Sequence, residues 1–170
     1  VDEMRTLVEH NETMDDMNRL SNDINFNSQK ALSSIFTSLV KLDHVLFKVR
    51  GYKAMFEDNL GEKFVDYHHC RLGHWYEHGR GKELYSKYSD FPKLEPAHKE
   101  LHDNIKNAHD ILIKHENLDR CIDQIHKYLQ DAENASRKVM SLLDSITKDR
   151  ISDLEIEFNK QPSLSKGNVY

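Results

Sequence analysis

The chain offers few places at which a helix has to stop. Three prolines and six glycines are spread over 170 residues, and these are the two residue types that most disfavour a helix interior. Apolar residues also recur at intervals of three and four, which is the spacing of one face of an α-helix. The sequence therefore predicts an all-α protein, and its length suffices for one domain with its own core.

Four segments carry a broad apolar stripe, and together they predict a four-helix bundle. These segments are 31–58, 61–78, 94–115 and 118–147. Residues 1–30 are polar with sparse heptad spacing, which is typical either of a helical stalk from an upstream coiled coil or of a frayed terminus. The predicted organisation is thus a stalk over 1–30, the bundle over 31–147, and a short additional helix with a polar, disordered tail over 148–170.

Charge and hydropathy argue against two classes of partner. The formal net charge is −5, and the lysines are interleaved with acids, so no basic face for nucleic acid is expected. No apolar run approaches the roughly 20 residues that cross a bilayer. The chain shows no signal peptide and opens at Val1 without a start methionine, so we expect a piece from the C-terminal end of a longer protein.

Histidine and cysteine usage makes metal binding the first function to test. The chain has eleven histidines and two cysteines, and two cysteines are too few for a disulfide framework. Solvated surface histidines are the alternative explanation for each histidine taken singly. The positions of these residues on the predicted helices separate the two explanations.

Four residues of metal-ligating type face the predicted core from three helices. His98 and His102 are four residues apart, so their imidazoles stack on one helix face. His44 shares a face with Phe47 on the first helix, and Cys70 is an inward thiol on the second. One cysteine and three histidines complete the shell of one Zn²⁺ and reserve no position for substrate water. We therefore expect a zinc protein without enzymatic activity.

A rival set on the second segment competes for the same metal. Cys70, His74 and His78 fall at i, i+4 and i+8, but they would spread along about 12 Å of helix axis and could not all reach one ion. Gly73 and Gly79 weaken that helix further, so we expect His74 and His78 to face solvent.

The remaining histidines and the second cysteine are expected to have ordinary structural roles. We interpret His68 and His69 as surface residues and His109 as a packed core residue one turn or more below the site. Cys121 is most simply a small core residue.

Three segments resemble the signature of the chemoreceptor zinc-binding domain family. They are LDHVLFKVRGY at 42–52, HHCRLGHWYEHGRG at 68–81 and PAHKELH at 96–102. Their order and approximate spacing match the family over roughly residues 25–147. Matched motif to motif, the family's zinc ligands fall on His44, Cys70, His98 and His102. One departure is Phe47, where the family often carries tryptophan.

The resemblance implies a place in signal transduction. It implies a cytoplasmic sensory domain, often at the C-terminus of a soluble methyl-accepting chemoreceptor and also attached to diguanylate cyclases. It further implies a symmetric homodimer, with the stalk at 1–30 as the end of a signalling helix. The partners would then be an upstream methyl-accepting signalling domain and, through it, the chemotaxis kinase machinery.

Thiolate chemistry gives the leading hypothesis for the signal. A zinc-bound Cys70 would be a thiolate, which hypochlorous acid and similar oxidants convert to a poorer ligand. Its loss would release segment 60–81, where Trp75 is a candidate neighbour of the metal site. Asp43 is either an acceptor that orients a ligand imidazole or an exposed surface acid. Two alternatives remain open: zinc occupancy itself is the signal, or zinc is structural and the domain only dimerises.

Overall fold

The computed structural model describes residues 2–57, 61–114 and 121–160. In these ranges it contains five helices, which are α1 (Asp2–Phe56), α2 (Arg71–Glu77), α3 (Arg80–Tyr85), α4 (Phe91–Lys114) and α5 (Ile122–Asn159). No strand occurs in the described part of the chain, so the all-α prediction is confirmed. The predicted disorder of the last ten residues and the predicted helix start at 118 lie outside the described residues.

Two of the helices are longer than predicted. α1 continues for 55 residues without a break near residue 30, so the predicted stalk and the first bundle helix are one element. The short additional helix predicted after 147 is wrong, because those residues are the last part of α5. Neither 2–50 nor 122–160 contains a proline or a glycine, and the buried side of α5 continues through Arg150 and Leu154.

The predicted second helix is wrong over its first half. Residues 61–70 form turns and irregular backbone, and the helix begins only at Arg71. The Asp66 carboxylate accepts hydrogen bonds from the backbone N–H groups of His68 at 3.0 Å and His69 at 3.2 Å. Such side-chain caps give the backbone an alternative to the helical ladder. As a result Cys70 occupies the N-cap of α2.

The core lies between α4 and α5 and is completed by α1 and the short helices. Its largest cluster includes Val40 of α1, Leu72 of α2, Leu94 of α4 and Leu143 of α5. α4 begins at Phe91, three residues before the predicted start. Pro92 lies in its first turn, where no helical N–H is needed. In the described part of the chain, no helix is long and apolar enough to cross a membrane.

Gly73 fixes how closely α2 approaches the preceding turn. A Cβ at this position would lie 2.1 Å from the Tyr67 carbonyl oxygen and 2.5 Å from that of His68. Both contacts are with backbone, so they cannot be relieved by a side-chain rotation. The turn that carries Cys70 therefore depends on a glycine here.

We predict that Gly73→Ala lowers the free energy of unfolding by about 2 kcal/mol or more, because the added methyl group overpacks the turn. Urea denaturation followed by circular dichroism measures the change. His74→Ala is the matched control, since its exposed side chain is next in sequence, and a change within about 0.5 kcal/mol is expected. Equal stability of the two variants would contradict the close contact.

Candidate metal centre

Four side chains of metal-ligating type converge where α1, α2 and α4 meet. Each of His44, Cys70, His98 and His102 offers one ligand atom, and these atoms all lie within 4.8 Å of one another. The three histidines are only 2%, 2% and 4% exposed, respectively, whereas Cys70 is half-buried. The structure thus brings together the four residues that the helix faces and the family resemblance both indicated.

The helices hold the three imidazoles at fixed relative positions. The rings of His98 and His102, one turn apart on α4, have centroids 4.7 Å apart and meet edge to face. The His44 ring on α1 approaches them with centroid distances of 4.8 Å to His98 and 5.7 Å to His102. The Phe47 ring lies 4.2 Å from that of His102 and closes the apolar side of the cluster.

Main-chain carbonyls orient two of these rings. Nδ1 of His44 lies 2.7 Å from the Val40 carbonyl oxygen, and Nδ1 of His102 lies 3.0 Å from that of Val65. Each Nδ1 therefore carries the proton and donates it, which leaves Nε2 as the atom with a free lone pair. Both of these Nε2 atoms are buried and lack a hydrogen-bond partner within the described residues. A cation at the centre of the cluster would satisfy them.

The sulfur of Cys70 completes the set. Its Sγ lies 3.2 Å from Nε2 of His98. Burial raises the pKa of the Cys70 thiol, and the nearby charges of Asp43 and Asp66 raise it further. The backbone N–H groups of Gly73 and Leu72, at the start of α2, act in the opposite direction. A metal-free Cys70 is therefore a thiol at neutral pH.

The three histidines are neutral at the same pH. Burial lowers the pKa of His98 to about 2, with the neighbouring His44 and His102 adding to the effect. Burial lowers the pKa of His102 to about 4, and it also lowers the pKa of His44. Neutral imidazole is the form that binds metal, so the cluster needs to lose only the thiol proton.

The donor set fits zinc. Three imidazole nitrogens and one thiolate are a known structural shell for Zn²⁺, which favours four-coordinate nitrogen and sulfur sites. The buried, partnerless nitrogens described above are the structural observation that supports this fit. Four protein donors would fill a tetrahedral shell without a position for a substrate.

Asp43 and Trp75, the two predicted neighbours of the site, have other partners. The Asp43 carboxylate forms an ion pair with Arg71 at 3.0 Å, while main-chain carbonyls accept the hydrogen bonds of His44 and His102. The Trp75 ring contacts Phe36, Tyr85 and Phe91. Asp43 acts on the site through its charge, which opposes the lowering of the His44 pKa by burial and adds to the raising of the Cys70 pKa by burial.

Five other histidines lie where the sequence predicted. His68, His69, His74 and His78 are all exposed, and the first two are bonded to carboxylates, His68 to Glu77 and His69 to Asp66. His109 is 2% exposed, with its ring 5.0 Å from that of Phe64. Cys121 is 3% exposed. The carbonyls of Val40 and Val65 were missed, because main-chain acceptors leave no mark in a sequence.

Comparison with known proteins agrees with this geometry. Residues 44–109 match the sequence model of the chemoreceptor zinc-binding domain. The match begins at His44 and includes the other three clustered residues. This part of the chain is therefore similar to the chemoreceptor zinc-binding domain, as its sequence motifs indicated. Searches of curated proteins and of solved structures returned no match.

We predict that zinc binding at pH 7 releases about one proton per ion. The raised pKa of Cys70 leaves one proton to lose, and the lowered pKa values of the histidines leave none. Titration calorimetry in buffers of different ionisation enthalpy measures the number. Down to about pH 5 it stays near one, since the pKa of His102 is about 4.

Cys70→His is the control for this measurement. It replaces the thiol with a neutral imidazole donor and leaves no position for water, so binding at pH 7 should release close to no protons. Release of two or more protons by the unaltered chain would show that an imidazole of the cluster is charged at neutral pH.

Proposed function

We propose that this chain is a sensory domain that holds one Zn²⁺ through His44, Cys70, His98 and His102 and responds to oxidation of Cys70. The observation that carries the proposal is the convergence of one sulfur and three buried imidazoles within 4.8 Å. The family match supports zinc as the metal. A shell filled by protein donors supports a role in signalling over a role in catalysis.

Unequal exposure of the four ligands supports the redox hypothesis. The three histidines are buried within the bundle, whereas Cys70 is half-buried at the N-terminus of α2. A small oxidant can therefore reach the sulfur without opening the core. Zinc, when bound, would keep this sulfur as a thiolate, which is the nucleophilic form.

The proposed reaction is a two-electron oxidation of Cys70. The thiolate reacts with hypochlorous acid to give a sulfenic acid and chloride, so sulfur is oxidised and chlorine is reduced. A sulfenic acid is a poorer donor to a cation than a thiolate. The turn at 67–70 would then lose its attachment to the histidines of α1 and α4.

Aromatic contacts provide a route from Cys70 to the rest of the fold. α2 begins directly after Cys70, and its Trp75 stacks on Phe36 of α1 with ring centroids 4.8 Å apart. Its Tyr76 stacks on Phe91 of α4 at 4.5 Å. A shift of α2 would therefore act on both long helices through these rings.

An apolar stripe along the outer face of α1 supports a homodimer. Its residues are spaced alternately by three and four and are 42–59% exposed; they are Leu32, Ile35, Leu39, Leu42, Leu46 and Val49. This is the heptad spacing of a coiled-coil seam. A contiguous exposed apolar surface of this kind is unfavourable in a monomer. A second copy of the same stripe would cover it across a two-fold axis.

The family match supports a proposal for the wider context. The matched model is named for chemoreceptors, so we propose a cytoplasmic position downstream of a methyl-accepting signalling region that controls the chemotaxis kinase machinery. α1 would be the connecting element, because its residues 2–25 extend from the bundle with every side chain exposed. The 55 residues of α1 as a whole span about 80 Å.

We predict that the purified chain contains one zinc and loses it after one equivalent of hypochlorous acid. Elemental analysis before and after oxidation measures the metal, and mass spectrometry locates the added oxygen on Cys70. Zinc is released because oxidation removes one of its four donors, and the three remaining imidazoles bind the ion more weakly. Zinc retained by a chain oxidised at Cys70 would contradict the redox mechanism and favour zinc sensing or a structural role.

Two variants make this experiment specific. Cys121→Ala removes the buried second thiol and should release zinc like the unaltered chain. Cys70→His replaces the oxidisable donor with another zinc ligand and should keep its metal through the same treatment. Failure of the unaltered chain to take up any zinc would overturn the proposed function itself.

We predict that Leu39→Glu combined with Leu46→Glu converts the dimer to a monomer. The two carboxylates would face their counterparts across the seam, where burial of like charges is strongly unfavourable. Light scattering coupled to size-exclusion chromatography gives the mass. Ser34→Glu adds a charge at an exposed position of α1 outside the stripe and should leave the dimer intact. A monomeric unaltered chain would contradict the dimer.

A further inference from the structure

A separate cavity lies between α1, the short helices and α5. Its volume is about 250 Å³, and its apolar wall includes Phe36, Trp75 and Leu84. Arg80 also lines it and is exposed, so the cavity opens to solvent on that side. None of the four clustered metal ligands lines this cavity. The volume is slightly below that of most small-molecule sites, so it suits a compact ligand.

A buried cation forms part of the lining. Arg150 of α5 is only 9% exposed, and its guanidinium donates a hydrogen bond to the Gln29 amide oxygen at 3.0 Å. A second polar neighbour is the neutral hydroxyl of Tyr88. The charge of Asp153 acts on Arg150, but its carboxylate is bonded to Tyr88 and to Lys87. Within the described residues, Arg150 has no carboxylate in ion-pair contact.

A guanidinium in this environment is an unusual component of a bundle core. Buried charges in proteins are normally paired directly, whereas Arg150 shares the charge of Asp153 with Lys87. Arg80, at the exposed side of the cavity, adds a second positive charge and also lacks an ion pair among the described residues. The cavity therefore combines an apolar wall with two cations that a ligand could neutralise.

We propose that this cavity binds a small organic acid, a monocarboxylate with a compact aromatic or branched apolar body. The carboxylate would accept two hydrogen bonds from the planar fork of Arg150. The Tyr85 and Ser33 hydroxyls, which are bonded to each other at 3.0 Å, are further polar groups of the lining. The apolar body would pack against Phe36 and Trp75. The site contains none of the four metal ligands, although its wall shares Phe36 and Trp75 with the route from Cys70 described above.

Trp75 allows a direct test, because it is the only tryptophan of the chain. Phenylacetate is the probe, and 2-phenylacetamide, of nearly the same shape but uncharged, is the matched control ligand. We expect saturable quenching of tryptophan fluorescence by phenylacetate, with a Kd of about 1 mM or below for so small a ligand. The amide should bind at least about tenfold more weakly.

Three variants locate the binding. Arg150→Gln should weaken phenylacetate binding by about tenfold or more, because it removes the charged fork. Arg80→Gln should weaken it by a smaller factor. Lys82→Gln changes an exposed cation on the same short helix that does not line the cavity, and it should bind like the unaltered chain.

Several results would overturn the proposal. These are no saturation up to about 10 mM phenylacetate, equal affinity for the acid and the amide, or unchanged binding by a folded Arg150→Gln variant. Circular dichroism establishes whether that variant folds. If it does not, the comparison of Arg80→Gln with Lys82→Gln decides: weaker binding by the former alone supports the site, and equal binding rejects it.

Discussion

Three imidazoles lie buried side by side in the core of this helical bundle, and their burial constrains the packing around them. Such groups are costly to bury unless every nitrogen has a partner. Two of the three rings satisfy Nδ1 with the carbonyls of Val40 and Val65, which turns Nε2 inward. The inward nitrogens, beside one sulfur, are then satisfied only by a cation. Metal binding and core packing are therefore the same interaction in this fold.

The sulfur is placed by a different kind of element from the histidines. Long helices carry His44, His98 and His102, so their positions follow from helical spacing and from packing around them. Cys70 is held by a turn that Asp66 caps and that Gly73 allows to approach α2. The three histidines are fixed by long helices, whereas Cys70 lies on a short, irregular segment. Cys70 can therefore leave the cluster while the histidines stay in place. The proposed release of zinc on oxidation requires this difference between Cys70 and the histidines.

This contrast also explains what could be predicted from the sequence. His98 and His102 were identifiable because their spacing of four places both on one helix face, and His44 because it follows the apolar side of α1. The turn before Cys70 was wrongly predicted as helix. Capping of the backbone by Asp66 and the close backbone contact at Gly73 produce this turn, and neither gives a periodic signal in the sequence. The prediction of a separate helix after 147 was wrong, because a weaker apolar pattern does not end a helix that lacks glycine and proline. For the same reason the predicted stalk continues directly into the first bundle helix. The burial of Arg150 beside the cavity could not be predicted, because charged residues are common on exposed helix faces and nothing in its sequence neighbourhood marks it as buried.

The two faces of α1 explain how an event at the metal centre could reach another molecule. One face carries His44, whose ring contacts that of His98 in the ligand cluster, and Phe36, whose ring stacks on that of Trp75. The opposite face carries the exposed stripe from Leu32 to Val49. A helix is stiff over a few turns, so a rotation imposed on one face is transmitted in full to the other. A rotation of α1 would change which side chains of the stripe meet across a seam. In the proposed function, residues 2–25 of the same uninterrupted helix would carry that rotation away from the bundle.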